Sequence, residues 1–227
     1  MKKYFLSIIV FVVGLSIMVL EIIGARVLAP YVGTSIIVWT SLIGVVLGSL
    51  SFGYYLGGKL ADKKPKYNIL FYLLIVPGVL ILLSAFFKEE LLSYIQISIS
   101  DLRAASVVSS FVLFGIPTIF LGMVTPYALR LNLSTVKKSG EVSGNLYAIS
   151  TLGSILGTFM AGFYLLPLLG NTKILFFVSL ALILLSYLIV IDSKEKIEKL
   201  LIIIILVIFW GLLFQKGHSK GLGVKDI

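Results

Sequence analysis

Long apolar stretches separated by short polar segments dominate the chain. A helix needs about 20 mostly apolar residues to cross roughly 30 Å of hydrocarbon, because each residue advances it by about 1.5 Å. Six stretches approach or exceed that length, and each predicts a transmembrane helix. They are Tyr4 to Ile23, Ile36 to Gly58, Tyr67 to Phe87, Ala104 to Leu129, Gly144 to Leu168 and Ile174 to Ile191. The pattern therefore predicts an all-α, polytopic membrane helix bundle.

A seventh apolar stretch, Leu200 to Phe214, is shorter than the others, with 15 residues. As a helix it covers about 22 Å, so it spans only if Lys199 and Lys216 snorkel or the bilayer thins locally. The prediction is therefore six to seven transmembrane helices in one domain, residues 1–214. A short basic tail, residues 215–227, follows.

The segment between the third and fourth stretches, Lys88 to Arg103, reads KEELLSYIQISISDLR. Its apolar residues recur at helical spacing, and polar residues fill the positions between them. This pattern predicts an interfacial helix that lies on the outer leaflet, with a plain loop as the alternative.

Composition excludes other classes of protein. The chain is 59% hydrophobic and only 13% charged, with a mean hydropathy of +1.12, whereas a soluble domain carries about 25% charged residues. A soluble enzyme and a disordered chain are thus both excluded. The sequence contains no cysteine, which removes disulfides, thiolate metal sites and a cysteine nucleophile.

The basic residues predict how the bundle is oriented. Of the Lys and Arg residues before the seventh stretch, twelve fall on the side of the amino terminus and four on the other. By the positive-inside rule, this bias predicts that the amino terminus lies in the cytoplasm. The predicted location is the inner (cell) membrane. The basic tail lies outside the cell if the seventh stretch spans the membrane, and inside if it does not. The net charge of +9 fits anionic lipid as a partner better than nucleic acid.

Glu21 is the one acidic residue inside a predicted span, about 26 Å along the first helix. Ionisable groups within hydrocarbon are costly and point to function by default. Arg26 follows five positions later, about 140° around the helix, which is poor spacing for a direct pair. Two interpretations stay open: a polar contact that closes the fold, and a ligand- or proton-linked group.

Small residues recur at four-residue spacing and predict close helix packing. The rows are Gly44 and Gly48, Gly53 and Gly57, and Gly153, Gly157 and Ala161. A sliding surface between two conformations is the alternative.

Proline at 77, 117, 126 and 167 predicts kinks in the helices. No catalytic set, metal-ligand cluster or cofactor loop is recognisable, so catalytic, metal and cofactor residues are all predicted as none.

The segment GKLADKKPK, Gly58 to Lys66, resembles the loop signature of the major facilitator superfamily. The matching positions are Gly58, Leu60, Ala61, Asp62, Lys63 and Lys66, whereas Pro65 replaces a glycine of the signature. The resemblance implies a cytoplasmic loop whose acid latches one conformation. It also implies that Asp62 pairs with Arg130 at the end of the fourth span, and that the bundle resembles one facilitator-type half plus a short extra helix.

A second resemblance covers most of residues 5 to 190. Its motifs are LEIIGARVLAPYVGTS from Leu20, GIPTIFLGMVTPYALRL from Gly115 and GNLYAISTLGSILGTFMAGFYLLPLLG from Gly144. Together they look like the amino-terminal membrane domain of membrane-bound spermidine synthase homologues, in which a soluble aminopropyltransferase domain follows the helices. That soluble domain is absent from this chain, so no catalytic residue is carried over. A fragment and a stand-alone protein with a separate synthase chain both stay open.

The resemblance implies a membrane-anchoring scaffold for polyamine synthesis that has no catalysis of its own. The alternative is a transporter for a small metabolite, such as a polyamine, built as a facilitator-type half that forms a homodimer. A polycation cavity needs buried carboxylates, and Glu21 is the single candidate. A partner in membrane-protein assembly without a small ligand is the third hypothesis.

Overall fold

The structure, a computed structural model, describes residues 2–133 and 139–190. Six helices long and apolar enough to cross a membrane make up these residues, which confirms the predicted all-α bundle. They are α1 (Lys2–Val32), α2 (Ile36–Lys63), α3 (Tyr67–Ser98), α4 (Leu102–Asn132), α5 (Ser139–Leu169) and α6 (Asn171–Val190). The seventh stretch and the basic tail lie outside the described residues.

The segment predicted as an interfacial helix is helical, but it does not form a separate element. It continues α3 to Ser98, and only three residues separate α3 from α4. The apolar spacing was interpreted correctly as helix, but helical spacing alone does not show where one helix ends and another begins. With 32 residues, α3 is about 48 Å long, which exceeds the hydrocarbon thickness by about 18 Å.

The helices connect through tight turns whose ends are fixed locally. Gly33, between α1 and α2, and Gly170, between α5 and α6, adopt φ of 80° and 71°, a region that favours glycine. Asp101 caps the start of α4, where its carboxylate accepts a hydrogen bond of 2.9 Å from the amide of Ala104. Such a cap satisfies one of the free donors at a helix start.

Three helix pairs form most of the bundle: α1 with α5, α2 with α4, and α3 with α6; α3 also packs along α4. Serine hydroxyls cross two of these pairs. Ser154 Oγ donates to the Gly14 carbonyl over 3.2 Å, and Ser179 Oγ donates to the Gly78 carbonyl over 2.7 Å. Such hydrogen bonds add to packing where lipid offers no hydrophobic drive for helices to associate.

Glycine lets two of the pairs approach closely. An ideal Cβ built on Gly153 would lie 2.1 Å from the Phe11 carbonyl oxygen on α1, and one on Gly157 would lie 2.5 Å from that of Leu15. On α2, a Cβ at Gly53 would lie 2.3 Å from the Ile119 oxygen of α4. Real side chains do not tolerate these distances, so the backbones touch only because these positions are glycine.

The glycine row at Gly44 and Gly48 behaves differently. A Cβ at either position would meet nothing within 4 Å among the described residues, and both glycines are exposed. Two glycine pairs with the same spacing on α2 thus have different surroundings. Gly53 and Gly57 pack against α4, whereas Gly44 and Gly48 have open space beside them in the described structure.

Two spans contain a wider π-helical turn, one in α4 (Phe111–Gly115) and one in α5 (Ala161–Leu165). In each, the residue that follows the turn donates its amide to the carbonyl five positions earlier, and a proline comes next. These prolines are Pro117 and Pro167. Proline lacks a backbone donor, and a local π turn is one way for a helix to accommodate that loss.

Burial is uneven across the six spans. Only 17% of the most apolar window of α5 is buried and 33% of that of α2, against 56% for α1 and 61% for α4. A helix that packs along one stripe leaves its remaining faces uncovered, and α5 is the extreme case. Its uncovered large side chains are Tyr147, Leu152, Ile155, Leu156, Phe159, Phe163, Tyr164 and Leu168.

Candidate functional site

The best-organised polar site lies at the turn between α2 and α3, which we call the lysine turn (residues 59–66). Tyr127 of α4 reaches it from the core and is itself fully buried. Its hydroxyl accepts a 2.8 Å hydrogen bond from the Lys66 amide and donates toward the carbonyl oxygens of Lys64 and Lys66. One side chain of α4 therefore holds the backbone of the turn that joins two other helices.

Removing the Tyr127 hydroxyl tests this anchoring role. We expect Tyr127→Phe to lower the free energy of unfolding by about 1–3 kcal/mol, because the partly buried backbone groups of Lys64 and Lys66 each lose one hydrogen-bond partner. Hydrogen exchange at the Lys66 amide should accelerate about tenfold or more, while exchange at the Ala104 amide, capped by Asp101, stays unchanged. Tyr94→Phe is the matched control because the Tyr94 ring is 71% exposed. Equal effects of both variants would contradict the anchoring role.

Asp62 and Arg130 come together at the same end of the bundle. Arg130 Nε lies 3.4 Å from Asp62 Oδ1, and both side chains are largely exposed. An exposed pair of this kind contributes about 0–1 kcal/mol, because water and salt screen it. It ties the end of α2 to the end of α4 weakly enough to open at small cost, whereas Tyr127, one turn earlier on α4, supplies the buried attachment.

Four lysines surround this attachment. Lys59 folds back along α2, where its Nζ bonds the Tyr55 hydroxyl and lies 4.3 Å from the centre of that ring. Lys63, Lys64 and Lys66 are exposed, and no ion pair to them is found among the described residues. The lysine turn therefore presents three exposed cations, and its one carboxylate, Asp62, is paired with Arg130.

Glu21 and Arg26 do not meet. Glu21 is partly buried on α1, and its Oε2 atom is fully buried with no hydrogen-bond partner in the described residues. Arg26 is exposed, and no ion pair joins it to Glu21 within residues 2–133 and 139–190. A carboxylate oxygen without a partner inside an apolar span is costly unless it is protonated or meets a cation.

Asp62 and Arg130 were predicted from the sequence, whereas Tyr127 was not. The available signal was its position three residues before Arg130 in the segment TPYALR, because residues three apart share one face of a helix. A tyrosine on the face that carries the pairing arginine was therefore a candidate to contact the same turn. Interfacial tyrosines are common, however, so the spacing alone did not distinguish it.

Groups of three or more His, Cys, Asp or Glu that could hold a metal ion are not found in the described part of the chain. One shallow cavity of about 180 Å³ lies at the opposite end, beside Tyr31, Gln96 and Ser100.

Six apolar helices of spanning length define a multi-pass helical membrane protein. Comparison of the chain with protein-family models, with characterised proteins and with solved structures finds no match.

Proposed function

We propose that the chain is a scaffold of the cell membrane that anchors an aminopropyltransferase-type synthase and has no catalysis of its own. The uncovered surface of α5 carries this proposal. Large apolar and aromatic side chains line it, and only 17% of its most apolar window is buried. A helix that uses one glycine stripe for its own bundle has its other faces free for helices of a partner. The synthase chemistry is supported by the sequence resemblance.

The absence of cysteine from the chain allows a clean crosslinking test. Ile155→Cys on α5 and Leu184→Cys on α6 place a single thiol at positions of equal exposure, 49% and 48%. Each thiol is coupled to a photoreactive maleimide in native membranes. We expect Ile155→Cys to capture a protein whose complex transfers aminopropyl groups to a diamine, and Leu184→Cys to capture lipid.

Two results contradict the scaffold proposal. Equal protein capture at both positions would mean that α5 has no special role. Aminopropyl transfer by the purified chain alone would show that it is an enzyme and not an anchor.

We also propose that the lysine turn faces the cytoplasm, in keeping with the positive-inside rule. Lys64 and Ser100 are both exposed and lie at opposite ends of α3. In intact cells, a membrane-impermeant maleimide should label Ser100→Cys and spare Lys64→Cys, and both should react after the cells are opened. The reverse labelling pattern would invert the orientation.

A second candidate function rests on Glu21. Its buried, unpartnered oxygen within α1 favours a transporter for a small cationic metabolite such as a polyamine, because a cation would neutralise that carboxylate. The uncovered faces of α2 and α5 would then receive the second half of a homodimer. Glu21→Gln should reduce polyamine flux into vesicles by about tenfold or more, which corresponds to about 1.4 kcal/mol. The matched control is Glu90→Gln, at an exposed position of α3. Unchanged flux in Glu21→Gln would contradict this candidate.

A further inference from the structure

Charge is distributed differently at the two ends of the bundle. At the end of the lysine turn, Lys63, Lys64 and Lys66 are exposed, while the nearby acid, Asp62, is paired with Arg130. At the opposite end, Lys88 pairs with Glu89 at 3.3 Å. Glu90 and Asp101 are also there, so three carboxylates face four basic residues, which are Arg26, Lys88, Arg103 and Lys173. At the lysine turn, Asp62 alone faces five basic residues, which are the four lysines and Arg130. The excess of positive charge is thus larger at the lysine turn.

The three cations lie on a backbone that is held in place. The Lys64 amide bonds the Leu60 carbonyl over 2.9 Å, and the Lys66 amide bonds the Lys64 carbonyl over 2.9 Å. Tyr127 adds the attachment to α4. A binding surface whose backbone is already ordered loses less conformational entropy when a ligand arrives.

The position of the turn along the spans indicates which anion it meets. It joins two spanning helices, α2 and α3, with three residues between them, so it lies where the chain leaves the hydrocarbon. That depth is the depth of lipid phosphates. Lysine ammonium groups near an anionic membrane surface gain about 1 kcal/mol each.

We propose that Lys63, Lys64 and Lys66, held by the Tyr127 hydroxyl, form a binding site for the phosphate of anionic lipid headgroups in the adjacent leaflet. This inference is independent of the scaffold and transporter proposals, since it requires neither a synthase nor a transported molecule. According to this proposal, the ligand of the lysine turn is an anionic lipid and not an acidic protein.

The test measures lipid preference directly. The full chain in detergent is titrated with phosphatidylglycerol and, separately, with phosphatidylcholine, and bound lipid is counted by native mass spectrometry at 0.1 M salt. With about 1 kcal/mol for each of three lysines, phosphatidylglycerol should bind about a hundredfold more tightly. The triple variant K63Q/K64Q/K66Q should lose at least tenfold of that preference, and K63R/K64R/K66R should keep it.

The matched control removes the same number of charges from the opposite end, as K88Q/R103Q/K173Q, and should keep the preference. Tyr127→Phe keeps all three lysines and should lose several-fold of the preference, because the turn is no longer held. Equal loss in the two triple variants would overturn the proposed site. An unchanged preference in K63Q/K64Q/K66Q, together with loss of a copurifying acidic protein, would also overturn it. An unchanged preference in Tyr127→Phe would overturn the role of the hydroxyl.

Discussion

Gly153→Ala should destabilise the bundle by about 2 kcal/mol or more, because the added methyl group has no room between α1 and α5. An ideal Cβ there lies 2.1 Å from the Phe11 carbonyl oxygen and 2.9 Å from its carbonyl carbon. These are backbone atoms, so relief requires the two helices to separate, and overpacking of this kind typically costs about 1–3 kcal/mol. The measurement is the unfolding midpoint in mixed micelles titrated with a denaturing detergent.

Gly144→Ala is the control within the same helix, since a Cβ at Gly144 meets nothing within 4 Å among the described residues. The midpoint of this variant should stay unchanged or rise, because alanine favours a helix by up to about 1 kcal/mol over glycine. A Gly153→Ala midpoint equal to that of Gly144→Ala would mean that α1 and α5 do not pack backbone to backbone.

Gly57→Ala should produce the second large loss, at the interface of α2 and α4. Its Cβ would lie 2.5 Å from the carbonyl oxygen of Met123 and 2.6 Å from the Cα of the same residue. Separating these helices also moves Tyr127, one turn further along α4, away from the lysine turn. We therefore expect a loss of about 2 kcal/mol or more and faster hydrogen exchange at the Lys66 amide.

The neighbouring glycine offers a matched control for this variant. A Cβ at Gly58 meets nothing within 4 Å among the described residues, so Gly58→Ala adds the same methyl group to the same turn of α2 without a clash. Destabilisation by Gly58→Ala as large as that by Gly57→Ala would trace the loss to helix conformation and not to contact with Met123.

The hydrophobic pattern was sufficient to predict the six spans, because the requirement for about 20 apolar residues acts on each segment separately. It was not sufficient to predict their ends. The first stretch was ended at Ile23, yet α1 continues to Val32, because one charged residue, Arg26, does not interrupt a helix. At α3, the mixed polar and apolar residues Lys88 to Gln96 likewise extend an existing helix.

The glycine rows could be found in the sequence, but which of them contacts a neighbouring helix could not be predicted from it. Spacing of four residues identifies a small stripe, but which stripe meets a neighbour depends on the arrangement of all six helices. Gly53 and Gly57 touch α4, whereas Gly44 and Gly48, two turns earlier on the same helix, touch no described atom within 4 Å of a Cβ. Likewise, resemblance to a loop signature pointed to Asp62 and Arg130, but the buried attachment through Tyr127 required the fold.

The π turn in α4 also determines which changes of chain length the protein can accept. A π turn such as Phe111–Gly115 holds one residue more than a turn of α-helix. Deleting one residue there should therefore keep the following half of α4 in nearly the same rotational phase, with Gly122 against Gly53 and Tyr127 at the lysine turn. A deletion between the π turn and Gly122 would instead rotate that half by about 100° and shift it by about 1.5 Å. A single-codon deletion should thus be better tolerated at the π turn than immediately after it.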